Sequence, residues 1–187
     1  MTAIWTNQGG GWALLPPAGF PDEAALHTLI EQSPQLLPLA GSPRLTVLGR
    51  EVRLGNGSAD LLAVEPNGRL VVVEVKLASN AEARRAVVAQ VLTYAAYLHG
   101  LERAELERTV LAGQLQRRGY DGLLAAAAGD DQERSLDAEA FDQGLAESLA
   151  EGRFRVVIVL DAAPAELVRL VGVRVHLDMS FGVRLDV

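Results

Sequence analysis

Of the 17 basic side chains in this 187-residue chain, 16 are arginines and one, Lys76, is a lysine. It lies in Val71-Val72-Val73-Glu74-Val75-Lys76-Leu77, an apolar run broken by one acid and one base two residues apart. Side chains alternate along a strand, so Glu74 and Lys76 leave the same side of an otherwise apolar element. A compact ammonium can approach a phosphate oxygen or a metal-bound water as a point charge, with a pKa open to tuning; the bulky, permanently charged guanidinium offers neither. Asp60 stands 14 residues before Glu74. Two carboxylates of this kind are hard oxygen donors that suit Mg2+ or Mn2+, with several waters kept in an octahedral shell.

Whether the three groups meet depends on the turn between their strands. Apolar periodicity predicts strands over Leu45–Leu54 (interrupted near Gly49), Asp60–Val64 and Arg69–Leu77. Pro66 and Asn67 suit the centre of a type I turn and Gly68 the left-handed position after it, which makes a three-residue hairpin with a bulge. The closing pair is then Glu65 with Arg69, and counting back five residues on each side sets Asp60 opposite Glu74, on one face. A two-residue Asn-Gly turn would shift the register by one and separate the carboxylates.

Helices flank these strands. Asp22 caps a predicted helix over Asp22–Gln32, and Asn80–His99 reads as a strong helix with Ser79 or Asn80 as cap and Gly100 as stop. On the latter, Gln90, Tyr94 and Tyr97 line a stripe apart from the core positions Val87, Val91 and Leu98. Further helices are predicted over Leu101–Arg118 and Leu136–Ala150, with a loose connection or weak helix over Asp121–Arg134. A strand at Phe154–Leu160, a helix at Pro164–Val171 and strands at Val173–Leu177 and Val183–Val187 close the chain. No repeat or linker divides it, so one α/β domain is expected over residues 1–187. Within it, 1–20 form an irregular arm pinned by Trp5 and Trp12, 22–99 carry the motifs, 100–152 are helical and 153–187 return to β-α-β.

Asp60, followed by Glu74-Val75-Lys76 on a neighbouring strand, resembles the pattern of the PD-(D/E)XK nuclease superfamily. The stretch from Glu23 to Leu37 is similar to the opening helix of its NucS-type endonuclease branch, and Val47–Val52 to that branch's first strand. Gly57–Val64 resembles the metal-binding strand, with Ser58-Ala59 where Arg-Ile is common. Gln90-Val91-Leu92-Thr93-Tyr94 matches the QxxxY motif of RecB-like nucleases. The resemblance covers about residues 22–99; the separate DNA-binding domain that precedes the nuclease domain in NucS enzymes has no counterpart here. It implies a restriction-endonuclease-like mixed central sheet flanked by helices, and Mg2+- or Mn2+-dependent hydrolysis of DNA, endo or exo. Asp60, Glu74 and the Val75 carbonyl would hold the metal, with Glu23 binding it or orienting its waters; Glu31, two turns on, competes with Glu23 for that place. Lys76 would position the attacking water or stabilise the transition state, Gln90 would orient Lys76 or a phosphate with Tyr94 behind it, and Arg84 and Arg85 would hold the nucleic acid backbone, with Tyr94 as a further nucleic-acid contact. Single-stranded, branched or mismatched DNA all fit, and family analogy extends to a homodimer or a DNA-repair protein partner.

Bulk properties bound these expectations. With no cysteine, there is no disulfide, thiolate metal site or thiol nucleophile. Net charge is −7, which lowers the odds of an autonomous high-affinity DNA binder and keeps open a nuclease-fold module that binds without cutting, as a subunit of a larger assembly. A structural or interaction domain with no nucleic-acid role is the third class. The N-terminus has no signal-peptide pattern and no apolar run spans a membrane, so a cytoplasmic protein with no membrane partner is expected. His27, His99 and His176 have no second histidine at ligand spacing and read as structural; Arg117 and Arg118 read as ordinary surface.

Overall fold

The run Leu70–Val73 lacks the alternation of a half-exposed strand because its strand is covered on both faces. The computed structural model describes residues 5–7, 12–14, 20–37, 39, 44–77, 81–130 and 136–160. The helix at Pro164–Val171, the strands at Val173–Leu177 and Val183–Val187, and the Ser79/Asn80 cap lie outside them, as do the side chains of Trp5, Trp12, Arg84 and Arg85. A four-stranded mixed sheet organises the rest, in the order β3 (Thr46–Leu54), β4 (Gly57–Val64), β5 (Leu70–Lys76) and β6 (Arg155–Leu160). The first three strands form an antiparallel meander, and β6 runs parallel to β5.

Helix α1 (Glu23–Gln32) covers one face, burying Leu26 and Ile30 against Leu61, Ala63, Val71, Val73 and Val75. Its start follows from Asp22, whose side chain accepts a 2.8 Å hydrogen bond from the Ala25 amide. The opposite face carries α2 (Ala81–Leu98) and the helices after it, around Leu48, Val52, Leu62, Val64, Leu70 and Val72. Among the described residues no helix is long and apolar enough to cross a membrane.

The hairpin between β4 and β5 has the predicted form. The Glu65 amide donates to the Arg69 carbonyl and the Gly68 amide to the Glu65 carbonyl, each at 2.9 Å, and Gly68 is left-handed at φ 82°. The turn docks on α6 (Ala138–Glu151), where Gly144 permits close approach: a Cβ there would lie 1.8 Å from the Asn67 carbonyl oxygen.

Two expectations need correction. The arm is not wholly irregular, since β1 (Trp5–Asn7) pairs antiparallel with β2 (Trp12–Leu14). The single helix expected over Leu101–Arg118 is a short α3 (Arg103–Glu105), a π-helical turn (Leu106–Val110) and α4 (Ala112–Arg118). Leu106 and Leu111 are both fully buried, yet a regular α-helix would set residues five apart about 140° from each other. The 3.0 Å bond from the Leu111 amide to the Leu106 carbonyl closes a wider turn and brings both to the core. The weak helix expected near residue 121 is α5 (Leu123–Asp130), held by buried Ala126 and Ala127.

Candidate active site

Pairing of β4 with β5 runs from Val64 opposite Leu70 to Leu61 opposite Val73 and carries Asp60 toward Glu74, the register the turn implied. Glu74 continues the row of Leu70 and Val72, on the face covered by α2. Asp60 does not simply share that face. Ala59 packs with the α2-side core and Leu61 with the α1-side core, although residues two apart in a regular strand share a side. The pairs Arg50 with Leu61 and Val52 with Ala59 place Glu51 across from Asp60, and Glu51 is the one non-glycine with positive φ (50°) among the described residues. This left-handed residue accompanies a local reversal of sides at the Asp60 row. Asp60 is therefore turned toward β5, and its Oδ2 accepts a 2.7 Å hydrogen bond from the Val75 amide.

The acids gather around one ammonium. Lys76 Nζ lies 3.1 Å from Glu74 Oε1, 3.3 Å from Glu23 Oε1 and 3.8 Å from Asp60 Oδ2. Glu23, in the first turn of α1, also accepts from the Leu77 amide at 3.4 Å through Oε2, which ties the helix to the end of β5. Glu31 is elsewhere: it pairs with Arg50 at 3.5 Å, beside an open groove that Gln114, Arg117 and Arg118 also line. Of the two competing glutamates, Glu23 joins the cluster.

Glu74 is the most constrained member. It is 0% exposed; neither carboxylate oxygen makes a regular hydrogen bond, and its charge partner is the Lys76 ammonium 3.1 Å away. Burial, reinforced by the negative charge of Asp60, pushes its carboxyl from an ordinary 4.5 up to about 7 against the opposing pull of Lys76. Burial acts to lower the Lys76 pKa, but Glu74, Asp60 and Glu23 outweigh it and leave the ammonium held above its ordinary value.

A polar relay supports the site from α2. Tyr94 donates from its hydroxyl to the Ser58 carbonyl at 2.7 Å and accepts from Gln90 Nε2 at 2.7 Å. Its side chain is 2% exposed, so it presents no ring surface to a nucleic acid, and the expected nucleic-acid contact at Tyr94 becomes a supporting one. Burial raises the Tyr94 pKa, which keeps the hydroxyl a donor. With one N–H of Gln90 Nε2 given to Tyr94, its second N–H is left for a phosphate oxygen and its Oε1 for the Lys76 ammonium.

One neighbour was read from the sequence as merely structural. His27 Nε2 lies 3.4 Å from Asp60 Oδ2, and the residue is buried. It follows Glu23 by four residues, so the two share a face of α1, and that spacing is the signal that could have found it.

Among the described residues no group of three or more His, Asp or Glu side chains is placed to hold a metal ion. The donor chemistry nevertheless fits a hydrated divalent ion. With one ammonium shared among three carboxylates, the buried Glu74 is only partly compensated when ionised, and cations that retain their waters need only one or two carboxylates. Comparison with protein-family models, with curated proteins and with solved structures finds no match to the chain.

Proposed function

We propose that this chain is a Mg2+- or Mn2+-dependent nuclease of the PD-(D/E)XK kind, with a restriction-endonuclease-like fold and DNA as substrate. One observation carries the proposal: Glu74, fully buried with both oxygens lacking hydrogen bonds, stands beside Asp60 and the single lysine. Such a cluster costs stability on its own and gains compensation from a hard cation.

Asp60 and Glu74 would hold the ion, joined by the Val75 carbonyl and by Glu23 through its water shell, as the resemblance implies. When bound, the ion neutralises charge on phosphoryl oxygens and favours ionisation of a water. Lys76, whose raised pKa keeps it cationic at neutral pH, holds its ammonium against the charge that develops on the phosphoryl oxygens or orients the attacking water. Glu23 limits where that ammonium can sit, through the 3.3 Å contact. Tyr94 anchors Gln90 at the edge of the site and ties α2 to the start of β4. Arg84 and Arg85, together with the arginines of the groove along β3, are the candidate backbone contacts.

The test is cleavage of single-stranded, branched and mismatched DNA in Mn2+, with Asp60→Asn as control. Cation-dependent cutting that the variant lacks is the expected result; no cutting of any of these by the wild type would remove the enzyme assignment. The net charge of −7 favours one second reading, a nuclease-fold module that binds within a larger assembly without cutting, and DNA binding without hydrolysis would support it.

A further inference from the structure

Resting on the proposed cation site, we infer that His27 is a positioning residue for Asp60: its imidazole fixes the carboxylate so that Oδ1 is presented to the cation. Among the described residues, the polar contacts of the Asp60 carboxylate fall on one oxygen. Oδ2 takes the Val75 amide at 2.7 Å, His27 Nε2 at 3.4 Å and Lys76 Nζ at 3.8 Å. Contacts that converge on Oδ2 from β5 and from α1 restrain the carboxylate plane more than the Val75 hydrogen bond alone would. The opposite oxygen is then the one available to a ligand.

Among the described residues the His27 side chain has no other polar partner. It is 7% exposed, and its Nδ1 is buried without a hydrogen-bond partner. A buried polar atom left unsatisfied costs stability, so an imidazole used only for packing is a poor choice where leucine would fill similar space. The recorded polar contact runs to Asp60, and it comes from the helix that also supplies Glu23. One face of α1 thus braces two members of the cluster at once, Lys76 through Glu23 and Asp60 through His27. Partners of this kind, which orient a ligand without touching the metal, typically change metal affinity by 10- to 100-fold when removed.

The experiment compares wild type, His27→Leu and His27→Gln. Leucine keeps the volume and removes the donor, whereas glutamine can present an amide N–H near the place of Nε2. Hydrogen exchange of the Val75 amide in metal-free protein reports the Asp60 contact directly, and calorimetric titration with Mn2+ reports the consequence. His27→Leu is expected to speed Val75 exchange and weaken Mn2+ binding about tenfold or more, with His27→Gln within about threefold of wild type for binding. Exchange at β-sheet amides remote from Asp60, such as Val72, should stay unchanged in both variants. Wild-type values of Val75 exchange or of Mn2+ affinity in His27→Leu would overturn the inference, as would equal impairment in His27→Gln. A wild type that binds no Mn2+ while Val75 exchange still responds to His27→Leu would overturn the nuclease assignment and the role toward a cation, but not the brace on Asp60.

Discussion

Glu74→Gln should make the metal-free protein more stable, and only above a definable pH. In the fold the Glu74 carboxyl is raised from 4.5 to about 7, so the folded state holds a proton that the unfolded state has released throughout that window. Stability falls with pH wherever the folded state binds more protons, so the wild type loses stability from about pH 4.5 and levels off above about pH 7. At about 1.36 kcal/mol for each pH unit between those two values, the difference amounts to about 3 kcal/mol. Glutamine resembles the protonated acid in shape and charge and does not titrate. The variant should therefore match the wild type near pH 4 and exceed it by about 3 kcal/mol at pH 8, or about 6–12 °C in Tm for a chain of this size. The assay is thermal or urea unfolding in EDTA across pH 4–9. Saturating Mn2+ should narrow the gap at pH 8, because it stabilises the wild type and has less to hold in the variant. A pH-independent difference, or a variant less stable at pH 8, would refute the view of Glu74 as an under-compensated buried carboxylate.

Three further outcomes follow from other contacts. Lys76→Ala should lower DNA-cleavage turnover about a hundredfold, the scale for removing a preorganised charge stabiliser, and Lys76→Arg should fail to restore it because the guanidinium fork does not fit between three carboxylates. Steady-state kinetics with full activity in either variant would count against the role given to Lys76. Gly144→Ala should destabilise the fold by more than about 2 kcal/mol, since its Cβ would meet the Asn67 carbonyl at 1.8 Å and push the β4–β5 turn off α6. Denaturant unfolding within about 0.5 kcal/mol of wild type would contradict that packing. Tyr94→Phe should cost about 1–2 kcal/mol by leaving the Ser58 carbonyl and Gln90 without their shared partner, with an unchanged unfolding midpoint as the contrary result.

What could be read in the sequence was governed by local chemistry. Pro66-Asn67-Gly68 specified the turn, the turn specified the register, and the register brought Asp60 toward Glu74. The Asp22 cap that starts α1 was equally local. The exceptions depend on groups distant in the chain. That Asp60 turns toward the Val75 amide follows from the reversal opposite Glu51, whose left-handed backbone has no glycine to announce it. The π turn at Leu106 answers to the core it packs against. The choice of Glu23 over Glu31 was settled by which end of α1 meets β5 and which meets Arg50. His27 escaped notice because a lone histidine carries no pattern, and its i+4 relation to Glu23 gains meaning only once Asp60 is known to face that helix.

On the proposed function, Asp60 and Glu74 share one divalent cation beside Lys76. Crystals grown at pH 8 and soaked in Mn2+ would test it through anomalous scattering at the manganese edge. A single strong peak bridging the two carboxylates, with the Lys76 ammonium displaced from between them, is the result predicted. An ordered, ion-free cluster with Lys76 still in place at saturating Mn2+ would contradict it.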